Sequence, residues 1–171
     1  MEDLRLEVAD FDSSAEGLAW RWVLTEPGGA LVADHQVRLD RGEPGYEAFT
    51  DLYGYLRWRA DPEDRVASEA ALVAAAGRWI GERVFGAVGS ALAARAPAVV
   101  RVIVPGPARV VAFRPLELAV VGGRSLAAQG ASERHERTAA ISRNCSNARG
   151  TRCGARPWTR WWMTRRKTRQ D

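Results

Sequence analysis

Four side chains could begin a reaction: His35, His135, Cys145 and Cys153. A thiolate nucleophile needs a histidine close enough to take its proton, and a fold that holds the two together. His35 belongs to the alternating series Leu31, Ala33, His35, Val37, Leu39. That pattern suits a packed or rim histidine with a hydrogen bond better than a catalytic base. His135 lies in ERHERT, where the charged neighbours suit a solvated segment. Cys145 and Cys153 stand eight apart, with His135 ten before the first. Zinc modules gather four ligands in tight pairs such as Cys-x-x-Cys, so three loosely spaced candidates are a poor fit. Two cysteines are also too few for a disulfide framework, and free thiols are expected. The stretch from Trp158 to Arg169, WTRWWMTRRKTR, interleaves aromatic and basic side chains that can stack on bases and meet phosphates. The same mixture arises in an unselected basic peptide, so nonspecific nucleic-acid contact is the most it implies. There is no phosphate loop, dinucleotide fingerprint or carboxylate pair. No catalytic, cofactor-binding or metal residue is assigned, and no cofactor is expected.

Any such residues need elements to hold them. Ser68 to Val121 organises the rest: a long helix, an apolar strand, a Pro-Gly-Pro break and a short second helix. Leu72, Ala76, Trp79, Ile80, Val84, Val88, Ala91 and Leu92 recur at three- and four-residue steps, which places them on one helical face over 68–95. Gly77, Gly81, Gly86 and Gly89 lie inside that helix, and glycines there suggest close approach to a neighbouring backbone. Ala98 to Val104, AVVRVIV, is apolar on both faces, the habit of a central strand in a parallel sheet covered on both sides. A helix followed by a buried strand is half of an α/β layer.

The first part of the chain alternates. Leu4, Leu6 and Val8 predict a half-buried strand, with Asp12-Ser13-Ser14 as a turn. Trp20, Trp22 and Leu24 share one face of a second strand, Pro27-Gly28-Gly29 turns it, and the His35 series returns as the second arm of a hairpin over 19–39. Glu43-Pro44-Gly45 breaks the chain before an amphipathic helix over 46–59. Asp61-Pro62 suits a helix N-cap with proline at the first helical position. After Pro105-Gly106-Pro107 a short strand is expected over 109–113. A short helix over 116–120 follows, ended by Gly122-Gly123, and then the start of a strand over 125–128.

The chain has 171 residues and is 46% hydrophobic, enough for one domain with a core. No run of about 18 uncharged apolar residues is present, so no membrane-spanning helix is expected. The acidic start lacks the basic and apolar regions of a signal peptide, which makes a cytoplasmic setting the default. The net charge of +4 hides a split. Residues 1–130 carry 14 basic and 18 acidic side chains, a net of −4, while 131–171 carry 11 and 3, a net of +8. Residues 131–171 show neither helical nor strand periodicity, and Ile141 is their only branched aliphatic side chain. So polar a segment is expected to be disordered, because it buries too little surface to offset chain entropy. Arginine is abundant and Lys167 is the only lysine, the usual mark of a GC-rich gene. Reading such a gene out of frame yields arginine, tryptophan, cysteine, serine and threonine. Two readings therefore stand: a coding frame lost near Gly130, or a native basic tail that contacts nucleic acid.

Four stretches carry a resemblance: AWRWVLTEPGGALVADHQVRLD, YEAFTDLYGYL, GRWIGERVFG and VVRVIVPGPARVVAFRPLELAVVGGRSLAAQG. Together they resemble the N-terminal part of bacterial CHAT domains, which are caspase-like and related to cysteine peptidases. Such domains are often joined to repeats in actinobacterial and cyanobacterial proteins. Arg114-Pro115-Leu116-Glu117-Leu118, followed by a glycine turn and Leu126-Ala127, is the most specific part, and the resemblance spans 4–130. It implies a three-layer α/β sandwich with a mostly parallel sheet, of which this chain supplies the N-terminal elements. The family's catalytic histidine follows a later strand in a Gly-His-Gly setting, and its cysteine follows the next strand. His135 has charged neighbours in place of glycines, and Cys145 sits in RNCSN with no strand before it. Neither is carried over. The resemblance thus implies a truncated, inactive relative. The alternative is a non-enzymatic binding module whose tail meets nucleic acid or an acidic protein.

Overall fold

The computed structural model describes residues 3–129 and, as backbone, Glu2 and 132–137. It is a mixed α/β structure with four α-helices among the described residues. Three antiparallel strands open it: β1 (Glu2–Ser13), β2 (Gly17–Thr25) and β3 (Leu31–Asp40). The helices α1 (Tyr46–Thr50), α2 (Leu52–Arg59), α3 (Arg65–Trp79) and α4 (Gly86–Arg95) follow, the last two joined by a π-helical segment, Ile80–Phe85. The chain then returns to the sheet as β4 (Ala98–Val104), which lies parallel to β1 with Leu6 opposite Val102. A small hairpin, β5 (Val120–Val121) and β6 (Arg124–Ser125), precedes β7 (Ser132–Arg137), which pairs parallel with β4. The sheet order is β3-β2-β1-β4-β7.

Period-two alternation sets the two faces of this sheet. Leu4, Leu6, Val8, Leu18, Trp20, Trp22, Leu24, Val37, Leu39, Val100 and Val102 are all buried on one face. Ile80, Val84, Phe85, Val88 and Leu92 of the helical stretch belong to the same core. Trp20 stacks on Phe49 and Trp22 on Phe85, at ring separations of 6.1 and 5.9 Å. The strict alternation would carry Asp10 and Asp12 into the core. An extra residue between Ala9 and Asp12 prevents this: Ala9 faces Arg21 while Asp12 faces Ala19, and Asp10 takes a φ of 52°. The bulge brings Phe11 against the core instead.

Several expectations need correction. The helix expected over 46–59 is two, because Asp51 leaves the helical region and its side chain accepts from the Gly54 N–H at 2.9 Å, restarting the chain as α2. Asp61-Pro62 does not open the next helix. Asp61 accepts from the Glu63 N–H in a local turn, its own N–H donates to Ser68 Oγ, and α3 begins at Arg65. The strand expected over 109–113 is a 3₁₀ helix over Gly106–Phe113. Prolines around Gly106 start the turn, and burial of Ala108 and Val111 on one side, three apart, holds it. The helix expected over 116–120 is a single turn, Leu116–Leu118. Gly122 and Gly123, with φ of 61° and 80°, form the two-residue hairpin loop rather than a helix end. The strand start expected over 125–128 is β6 followed by a turn over Ala127–Gln129. Leu31 leaves the face of its series and is 63% exposed, since the β2–β3 register shifts opposite it.

The strand β4 is interior, as its composition predicts, but it is not covered on both faces among the described residues. Val100, Val102 and Val104 are buried, Val99 and Ile103 are half-buried, and Arg101 is exposed. The backbone of 132–137 adds β7 beyond the last expected element, within the segment expected to be disordered. Hydrogen bonding along the otherwise free edge of β4 accounts for it, since strand pairing is a backbone interaction open to polar sequences. The expectations for 138–171 lie outside the described residues. No helix among the described residues is long and apolar enough to cross a membrane.

Candidate functional site

His35 is the one candidate whose surroundings are described. It sits on the core side of β3, half-buried, and its Nε2–H donates to the Arg83 carbonyl at 3.2 Å. The acceptor belongs to the π-helical segment. Gly86 closes that segment with a φ of 46°, and a Cβ there would collide with the His35 ring. The helix is therefore widened and bent where the imidazole packs against it. His35 is a rim histidine with a hydrogen bond, the reading its alternating neighbours favour.

Around it lies a polar cluster that spacing does not reveal. Glu43 receives both Arg83 Nε, at 3.0 Å, and Arg83 Nη2, at 2.8 Å. It also accepts from the Asp40 N–H at 3.1 Å. The Arg83 guanidinium, more than the Asp40 N–H, holds the Glu43 carboxyl below the usual carboxylate range, against a smaller opposing effect of burial. Glu43 in turn raises the Arg83 pKa. Arg83 also donates to the Arg38 carbonyl at 3.3 Å, so one guanidinium ties helix, turn and strand together. In the sequence Glu43 reads only as part of a chain break, and Arg83 falls away from the apolar face of the expected helix.

The motif-like run at Arg114 is structural in its contacts. Arg114 donates to the Thr50 carbonyl at the end of α1, and its guanidinium lies 6.0 Å from the Phe49 ring centre. Burial lowers its pKa, opposed by Tyr46 and Asp51. Leu116 is buried and Glu117 exposed.

Two hollows remain. One, of about 460 Å³, lies between the bent helix and the β5–β6 turn, lined by Arg78, Gly81, Glu82, Ser90 and Gly122 among others. The other, of about 330 Å³, lies on the open sheet face beside Asp3, Arg5, Pro27, Val99 and Arg101. Among the described residues, neither is lined by a thiol or a histidine. Among the described residues no group of three or more His, Cys, Asp or Glu could hold a metal ion. His135 occupies a β7 backbone position opposite Val102. Cys145, Cys153 and the Trp158–Arg169 stretch lie outside the described residues.

No family model matches this chain, and no match is found among curated proteins or solved structures.

Proposed function

We propose that this chain is the N-terminal portion of a CHAT-like, caspase-related α/β domain, without a peptidase dyad and without hydrolytic activity of its own. The supporting observation is the one-sided sheet. Its interior strand β4 runs parallel to β1, yet Val99 and Ile103 on the second face are only half-buried. Strands in parallel pairing are usually covered on both faces, and a three-layer sandwich is the architecture that provides the second cover. The engagement of His35 Nε2–H by the Arg83 carbonyl agrees with a structural histidine. The compositional break at Gly130 supports a domain whose coding frame is lost before its catalytic strands. A cytoplasmic setting goes with this reading.

The nucleotide sequence tests it. An alternative frame after the Gly130 codon is expected to encode apolar strands, a Gly-His-Gly and a later cysteine. The protein supplies a second arm. Incubated with a thiol-reactive peptide probe and a mixed peptide library, the chain is expected to show no histidine-dependent labelling and no cleavage. Cys145→Ser and Cys153→Ser should change nothing. If no frame continues the domain, the proposal falls, and a non-enzymatic binding module with a native basic tail takes its place.

A further inference from the structure

The edge strand β3 has no neighbour on its outer side among the described residues. In an antiparallel pair, alternate residues aim both backbone groups away from the partner strand. Two contacts identify which residues these are: the Asp40 N–H donates to Glu43, and the Arg38 carbonyl accepts from Arg83. The outward set is therefore Asp34, Gln36, Arg38 and Asp40. This edge is long and free of proline and lysine, two of the devices that keep sheet edges from pairing. It is also self-complementary. Antiparallel pairing of two copies about Gln36 sets Asp34 of each opposite Arg38 of the other, and all three side chains are exposed. Opposite charges placed so across a strand pair are favourable. A partner strand would run about 4.8 Å away. Beside Arg38 and Asp40 that is the space the Arg83 guanidinium and Glu43 carboxylate occupy, bonded to the same outward groups.

We propose that the Glu43–Arg83 pair is an edge guard, closing β3 against antiparallel pairing with a second copy of this chain. The guard stands at the Arg38–Asp40 end of the edge and leaves Asp34 and Gln36 too short a run to pair alone. This inference does not depend on the proposed family.

Sedimentation of the full chain across a concentration series tests it. The wild-type coefficient is expected to stay constant, whereas that of Glu43→Ala/Arg83→Ala should climb toward the value for twice the mass. Adding Asp34→Arg places like charges opposite each other and should return the variant to a monomer. Adding Arg38→Asp as well should restore the dimer. A double variant that keeps its far-UV spectrum and stays monomeric overturns the proposal, as does association indifferent to the charges at 34 and 38, or charge-dependent dimerisation of the wild type. Should the double variant lose its helical signal, Arg83→Leu, which frees the Arg38 carbonyl, goes through the same series, with concentration-dependent dimerisation supporting the guard and a constant coefficient refuting it.

Discussion

The two faces of the sheet are made by the same strands and obey different rules. On the core face Trp20, Trp22, Leu24 and Leu6 are essentially inaccessible, and the two indoles stack on Phe49 and Phe85 of the helical layer. On the other face Arg5 meets Glu7 at 3.1 Å and Arg21 meets Asp10 at 3.2 Å, all partly in solvent. Burial of apolar surface scales with area and is felt at every position, while exposed ion pairs contribute little each. The difference teaches that stability in this domain resides on one side of one sheet.

The largest expected effect lies on the core face. Trp22→Ala removes a ring stacked on Phe85 and should cost about 3–5 kcal/mol, seen as a large drop in the urea midpoint. Arg21→Ala, one residue away on the other face, should cost under about 1 kcal/mol. Equal losses would break the comparison. Next is Gly81→Ala, where the new methyl would collide with the Val120 backbone. Overpacking of this kind costs about 1–3 kcal/mol, whereas Gly28→Ala, with open space around it, should be near neutral. A hydrogen bond comes third: His35→Ala strips the Arg83 carbonyl of its donor and should cost about 1 kcal/mol.

The smallest effect is electrostatic and has a pH signature. Arg83 holds the Glu43 carboxyl below its ordinary value of 4.5, so folding favours the ionised form. The contribution is complete above the unfolded-state pKa and is lost as pH falls through the lower folded-state value. Arg83 is half exposed, so the pair should contribute under about 1 kcal/mol at neutral pH. Urea titrations of wild type and Glu43→Gln should therefore differ at pH 7 and converge in acid. A difference that grows on acidification would show that the carboxyl folds protonated.

Much of this was legible because it is local. Alternation by itself determined that Trp20, Trp22 and Leu24 share a face, and that Pro27-Gly28-Gly29 turns the hairpin. The four-residue spacing of Ile80, Val84, Val88 and Leu92 determined which side of the helix is buried. Glycines at 77 and 81 announced a close backbone, though not that Leu118 and Val120 would supply it, whereas Gly86 and Gly89 lie against side chains, the His35 ring and those of Phe85 and Val121. The resemblance to CHAT domains, by contrast, rests on the sequence alone and stands as a proposal.

Tertiary structure decided what depends on distant partners. The π-helical turn at 80–85 and the bend at Gly86 exist where His35 packs, and no periodicity within the helix encodes a ring arriving from β3. The segment 106–113 carries apolar residues compatible with strand or helix, and burial of Ala108 and Val111 in the common core selected the helical form. Glu43 and Arg83 stand 40 residues apart, and only the fold brings carboxylate and guanidinium together on the edge of β3. Side-chain period is a property of consecutive residues, so the sequence displays it directly. Hydrogen-bond partners and close approaches are properties of distance in space, which the chain acquires only by folding.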